Sequence, residues 1–287
     1  MEHRWGRDIV KRLIPIFLLP LFLIPPVVRA QSWQPSALGT SEPTTPTLIQ
    51  TGAVQYTAVV NSPVQQCIYR FSAPIGRGHT LLGFTHQSNI HDTPVPSTAT
   101  SPGTMFPQWV HDSVGNVYNL SAPAFWSPWP EYVNTFYLTN VKGNPTTITA
   151  DFSQYPNAAP TILQGCNFGI AEYAGVTAVA PLVAPVSVDG TSPSITITPT
   201  APSLIWTYAS LEFEGVTTAS QLTNSGYRVI NDTLAADDTA VWQSNALMPA
   251  GALTLTWSRQ HWNDSACQQF STITHTCPAV LAAMAIR

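Results

Sequence analysis

Apolar residues recur at every second position along most of this 287-residue chain. In Thr135-Phe-Tyr-Leu-Thr139 and Thr147-Ile-Thr-Ala-Asp-Phe152, the residues Phe136, Leu138, Ile148, Ala150 and Phe152 alternate with polar ones. That spacing predicts strands with the apolar set inward and the threonines outward. Ser194–Thr198 and Leu253–Trp257 repeat the pattern, whereas Thr80–His86 and Leu204–Leu211 are apolar on both faces, as in the middle of a packed sheet. Pro, Gly, Asn and Ser punctuate the runs, and no stretch sustains a period of 3.6. The pattern predicts an all-β chain, an antiparallel, jelly-roll-like β-sandwich. One segment stays open: Pro278–Ile286 reads either as a helix started by its proline or as a strand.

The most sharply written local element lies at residues 109–120. Trp109–Asp112 and Val117–Leu120 read as two strands reversed by Ser113-Val-Gly-Asn116. Gly115 and Asn116 enter positive φ at least cost, and Asp112 and Ser113 have side chains that bond turn backbone. A β-hairpin is the expectation.

The N-terminus interrupts the β pattern. Arg4, Arg7, Lys11 and Arg12 precede the apolar run Leu13–Ile24, and Val28-Arg29-Ala30 offers a cleavage site. Twelve apolar residues are too few to cross a bilayer but suit a signal peptide, so residues 1–30 are expected to be removed before Gln31. Residues 31–50 are Pro-, Ser- and Thr-rich and read as a linker. The sandwich is expected over 51–287, with order starting near Val54.

Removing residues 1–30 takes five of the eleven Lys/Arg and two of the fifteen Asp/Glu, which leaves six against thirteen. Soluble domains carry roughly 25% charged residues, and this chain has 9%. Without a Lys/Arg cluster, nucleic acid and anionic membrane are poor partners.

Four cysteines, Cys67, Cys166, Cys267 and Cys277, behind an export signal imply up to two disulfides, with three possible pairings. The Thr-rich interval between Cys267 and Cys277 suits a bridged hairpin, which leaves Cys67 with Cys166. No CxxC spacing points to metal.

Five segments occur in order: Gly78-His-Thr-Leu-Leu82, Val110-His-Asp-Ser-Val-Gly-Asn-Val-Tyr118, Phe136–Val141, Glu172-Tyr-Ala-Gly-Val176 and a closing apolar stretch. Together they resemble a secreted bacterial β-sandwich domain of an uncharacterised surface-protein family. The resemblance covers about residues 65–287 and implies that 279–286 is a strand. It implies nothing about activity. The chain departs from that pattern in Pro-rich loops at 87–107 and 121–133, and in its cysteines.

Several residues carry the chemistry a site would need. His86, His91, Asp92, His111 and Asp112 are metal-binding types within a short interval, but they lack HxH or HExxH spacing, so surface or internally satisfied histidines are the better reading. Glu212 and Glu214 stand two apart on one strand face, a spacing compatible with paired glycosidase carboxylates and equally with an exposed strand end. Asp232, Asp237 and Asp238 do not match a calcium loop, and no Gly-rich phosphate loop or nucleophile elbow occurs. Sequons at Asn119, Asn231 and Asn263 occur at the frequency chance supplies.

The least ordinary chemistry is aromatic. Phe125-Trp-Ser-Pro-Trp-Pro-Glu-Tyr132 sets Trp126, Trp129 and Tyr132 in a Pro-stiffened segment, with Trp109, Trp257 and Trp262 as candidate neighbours. Planar rings of this kind either stack on sugars or cap an open end of a sandwich. The expectation is a secreted or cell-surface, non-enzymatic protein that needs no cofactor and binds a neutral partner, glycan or another envelope protein. The alternatives are a secreted polysaccharide hydrolase and a purely structural surface domain.

Overall fold

The computed structural model describes residues 45–57, 66–88, 109–126, 131–151, 165–190, 192–211, 222–233, 239–258 and 278–287. The described residues fall within one compact unit, Pro43–Arg287. The described elements are strands, every pairing is antiparallel, and the sheets pack face to face.

The first half holds nine strands. They are β1 (Thr47–Thr57), β2 (Gln66–Arg70), β3 (Thr80–Ser88), β4 (Trp109–Asp112), β5 (Asn119–Leu120), β6 (Ala124–Trp126), β7 (Glu131–Leu138), β8 (Thr147–Asp151) and β9 (Gly165–Ala174). They form a large sheet in the order β1-β9-β3-β7-β5, with β6 also on β7, and a small sheet β2-β8-β4. The second half holds β10 (Val179–Asp189), β11 (Ser194–Ile197), β12 (Leu204–Leu211), β13 (Tyr227–Thr233), β14 (Thr239–Ser244), β15 (Leu253–Thr256) and β16 (Pro278–Ile286). Its large sheet runs β10-β16-β12-β14-β13 and its small one β11-β15.

The two halves repeat one plan. In each, the first strand pairs with the last, the last with a central strand, and the second strand leaves to pair with the penultimate one. The sequence keeps traces of the repeat. Phe71-Ser-Ala-Pro74 and Pro199-Thr-Ala-Pro202 precede the central strands β3 and β12, and Cys166 and Cys277 stand at the entries to β9 and β16.

The halves stack into four sheets with three apolar layers between them. Cys67, Val110, Ile148 and Ala150 of the small first sheet meet Leu81, Phe136, Phe168 and Ile170 of the large one. The opposite face of that large sheet (Leu82, Phe84, Ala171, Tyr173) packs on Leu204, Trp206, Tyr208 and Met284 of the second large sheet. Behind it, Ile205, Trp242 and Leu281 pack on Ile195, Leu255 and Trp257. Both large sheets are therefore covered on both faces. This is why Thr80–His86 and Leu204–Leu211 read as apolar throughout, and each is buried along its whole length. The closing strand β16 is the strand that the resemblance implies.

Four expectations need correction. Strand β1 begins at Thr47, inside the expected linker, because Thr47–Gln50 pairs with Glu172–Ala174 of β9. Thr135 and Thr149 are both buried: Thr149 lies on the outer face of its sheet but is shielded there, and Thr135 sits in a sheet covered on both sides. Segment 121–133 is not one loop, since β6 and β7 form a hairpin over it, with Trp126 opposite Glu131. The two arms at 109–120 also separate: β4 joins β8 while β5 joins β7, and only a His111–Val117 bridge and the Tyr118 N–H to Val110 carbonyl bond link them. The turn is real, but it is a corner between two sheets.

Candidate binding surface

The motif that dominates the sequence builds this corner. Asp112 is 4% exposed. Its Oδ1 accepts the backbone N–H of Val114 at 3.1 Å and of Asn116 at 3.0 Å. Its Oδ2 accepts the Asn116 amide at 2.7 Å and the Tyr118 hydroxyl at 3.1 Å. Asn116 then clamps the neighbouring turn, donating to the Lys142 carbonyl and accepting its N–H. Ser113 Oγ accepts the N–H of Thr146 at 2.9 Å. Gly115 takes φ 87°, while Asn116 does not share the positive φ its type permits. Desolvation, and then the Asp112 carboxylate, push the Tyr118 phenol far above its ordinary pKa.

Glu172 plays the same part at the 71–79 turn. It is 1% exposed and accepts Gln50 Nε2 at 2.5 Å, the Gly76 N–H at 2.8 Å and His79 Nδ1 at 2.6 Å. Gly78 and Gly175 take positive φ, as does Asn140. The polar residues Asp112, Asn116 and Glu172 thus tie turns and corners.

His86 and His111 do not converge. His86 is buried between the two large sheets with its Nδ1 3.3 Å from Thr239 Oγ1, whereas His111 lies on the outer face of the small first sheet. Among the described residues no three His, Cys, Asp or Glu side chains meet in a metal-binding group. His91, Asp92, Glu212, Glu214, Asp237, Asp238, Trp129, Trp262, Cys267 and Cys277 lie outside the described residues, as do the side chains of Trp126, Tyr132, Cys166 and Asp232. Trp257 is not part of a surface platform. It is fully buried, edge-on to Trp242.

The two ends of the sandwich differ. At one end, turns 71–79, 113–118, 139–146, 198–203 and 245–252 are short and tied by backbone bonds such as Ile75 N–H to Pro145 and Met248 N–H to Ser203. At the other end β1, β3, β6, β8, β12, β13 and β15 finish, and β2, β4, β7, β9, β14 and β16 begin. Connections 89–108, 152–164 and 259–277 leave and return there, while 212–226 leaves there and rejoins the fold at the opposite end, where Tyr227 pairs with Ser244. Trp126 and Tyr132 stand on strands at this same end, with Tyr132 opposite Phe125 and Gln87.

Trp109 occupies the first position of β4 at this end, and Trp109, Gln66, Ile68 and Arg70 are exposed on the outer face of its sheet. Register sets Trp109 beside Asp151 and Asp151 beside Gln66, and the next outward row is His111, Thr149 and Ile68. The Trp109 indole is 36% exposed and lies 4.5 Å from the His111 ring, tilted 38°. Gln66 donates from Nε2 to Asp151 Oδ2 at 3.2 Å. Ile68 is 36% exposed, Arg70 is exposed, and Val117, bridged to His111, is 56% exposed. Sequence reasoning singled out Trp109 and missed Gln66, Asp151 and Ile68. The signal was the alternation in 147–151, which puts Asp151 on the face opposite Ile148 and Ala150.

Neither a protein-family model nor a curated protein matches the chain.

Proposed function

We propose that this protein is an exported, non-enzymatic β-sandwich of the envelope or cell surface that binds a neutral partner. The site we assign is the end where its long connections gather, together with the adjoining sheet face at Trp109. The observation that carries the reading is the asymmetry of the two ends. Long connections that leave and return mainly at one end of a rigid sandwich are a common place for such scaffolds to carry a binding site. The aromatic residues Trp109, Trp126, Trp129 and Tyr132 all belong to strands or connections of that end. The excess of acidic over basic residues after residue 30, with very few of either, suits a partner that is neither nucleic acid nor anionic lipid.

Export also accounts for the cysteines. Cys67 is fully buried in the cluster that holds Phe168, two residues along β9 from Cys166, and no described cysteine is a free thiol. A Cys67–Cys166 bridge would staple the first sandwich, and Cys267–Cys277 would close the segment before β16.

The experiment is a binding assay of purified protein against envelope fractions of its host, with Trp126→Ala and Trp129→Ala as probes. A platform loses binding in both variants while thermal stability holds. If both variants instead lose about 3–5 kcal/mol of stability, the rings are core and the proposal fails for these residues.

A further inference from the structure

We infer that the outer face of β2-β8-β4 is a carbohydrate subsite for a neutral polysaccharide, with Trp109 as its stacking platform and Gln66 as its polar contact. This rests on the reading of the protein as a binder of a neutral partner and names the partner's chemistry.

The face is built in cross-strand rows. Trp109, Asp151 and Gln66 lie side by side, one strand spacing of about 4.8 Å apart, so the row from indole to amide spans about 10 Å. That reach fits a short run of sugar units rather than a single ring. The indole is held at one position by its contact with His111, which lowers the entropy cost of stacking. Asp151 is 6% exposed and accepts from Gln66 Nε2, so it is a positioning residue that aims the exposed amide.

The mixture of groups selects a sugar over a protein. An apolar protein anchor on Trp109 would desolvate the exposed Gln66 amide without replacing its water bonds, at the cost of burying a polar group. A sugar chain offers both surfaces together: a C–H face for the indole and a rim of hydroxyls for Gln66. Neutral sugars are favoured over acidic ones, because Asp151 lies in the row and acidic residues outnumber basic ones thirteen to six after residue 30.

The test measures full-length protein against laminarin, galactomannan, dextran and hydroxyethylcellulose by affinity electrophoresis and calorimetry. Trp109→Ala is expected to weaken binding of the retained polysaccharide at least about tenfold, and Gln66→Ala several-fold, while Trp109→Phe keeps most of the affinity. Leu247→Ala, an exposed apolar site in the other half, should leave binding unchanged. If Trp109→Ala fails to fold, Gln66→Ala and Trp109→Phe still decide the matter. Unchanged affinity in all three overturns the subsite. Loss of binding in Trp126→Ala or Trp129→Ala alongside unchanged Trp109 and Gln66 variants also overturns it, but leaves the protein a binder through its loop end. Retention of none of the four polysaccharides by the unmodified protein overturns the carbohydrate assignment, and binding to an envelope fraction would then still uphold the broader reading.

Discussion

The hydroxyl of Tyr118 donates to Oδ2 of Asp112 at 3.1 Å, inside a corner where one chain passes from the small first sheet to the large one. The carboxylate accepts four donors in all, two of them backbone. Substituting Asp112→Ala leaves those donors buried without an acceptor, and the expected loss of stability is about 3 kcal/mol or more. Tyr118→Phe removes one bond and should cost about 1 kcal/mol. Urea unfolding measures both. An Asp112→Ala variant within 1 kcal/mol of the parent would show that the corner does not depend on this carboxylate.

Alkali should find the same corner. Burial raises the phenols of Tyr118, Tyr173 and Tyr69, and pushes that of Tyr227 up to about 12. In the unfolded chain they ionise near 10. Between pH 10 and the folded values, the folded state holds protons that the unfolded state has released. The stability linked to these groups is therefore complete below pH 10 and falls as pH rises above it. The melting temperature should drop from about pH 10 upward, and phenolate absorbance of the native protein should develop late. Tyr118→Phe should shallow the drop. A melting temperature flat to pH 12 would contradict the assignment.

The cysteines give a third outcome. Non-reducing peptide mapping of exported protein should yield a Cys67–Cys166 peptide and a Cys267–Cys277 peptide, with the mature chain starting at Gln31. Each bridge should stabilise by roughly 2–4 kcal/mol. A Cys67–Cys277 peptide would refute the pairing.

Strand identity was legible where burial writes it directly. Burial on both faces gives the continuous apolar run of β12, and a solvent-facing side gives the alternation in β11 and β15. What the pattern lacks is partnership. Nothing local tells Trp109–Asp112 to pair with β8 rather than with Asn119–Leu120, because that choice rests on contacts some forty residues away. The same limit hid the candidate face. Trp109 was a candidate only as a neighbour of the aromatic segment at 125–132, and Gln66 and Asp151 become its neighbours only once β2, β8 and β4 are aligned. Thr135 misled for a related reason, since alternation marks the two faces of a strand and does not say that both are covered.

The last prediction concerns two glycines that make room for aromatic rings at the centre of the large first sheet. Gly83 and Gly169 lie on adjacent strands, with Gly83 opposite Ile170 and Phe84 opposite Gly169. A methyl on Gly169 would sit 2.2 Å from Phe84 Cε1 and 3.0 Å from Asn231 Nδ2, and the backbone of this residue needs no positive φ, so side chains alone, the ring foremost, forbid it. A methyl on Gly83 would meet Phe136 Cζ at 2.2 Å and also the Gly169 carbonyl oxygen at 2.3 Å. The first clash is with a side chain that can be trimmed, and the second includes backbone that cannot. Gly169→Ala and Gly83→Ala should each destabilise by about 1–3 kcal/mol or more through overpacking. Adding Phe84→Leu should recover part of the Gly169→Ala loss, a favourable coupling of about 0.5 kcal/mol or more in a double-mutant cycle. Adding Phe136→Leu to Gly83→Ala should recover little, because the carbonyl remains in the way. Equal rescue in both cycles would mean that the two strands shift apart freely, and the close approach of β3 and β9 would lose its role in holding the central layer together.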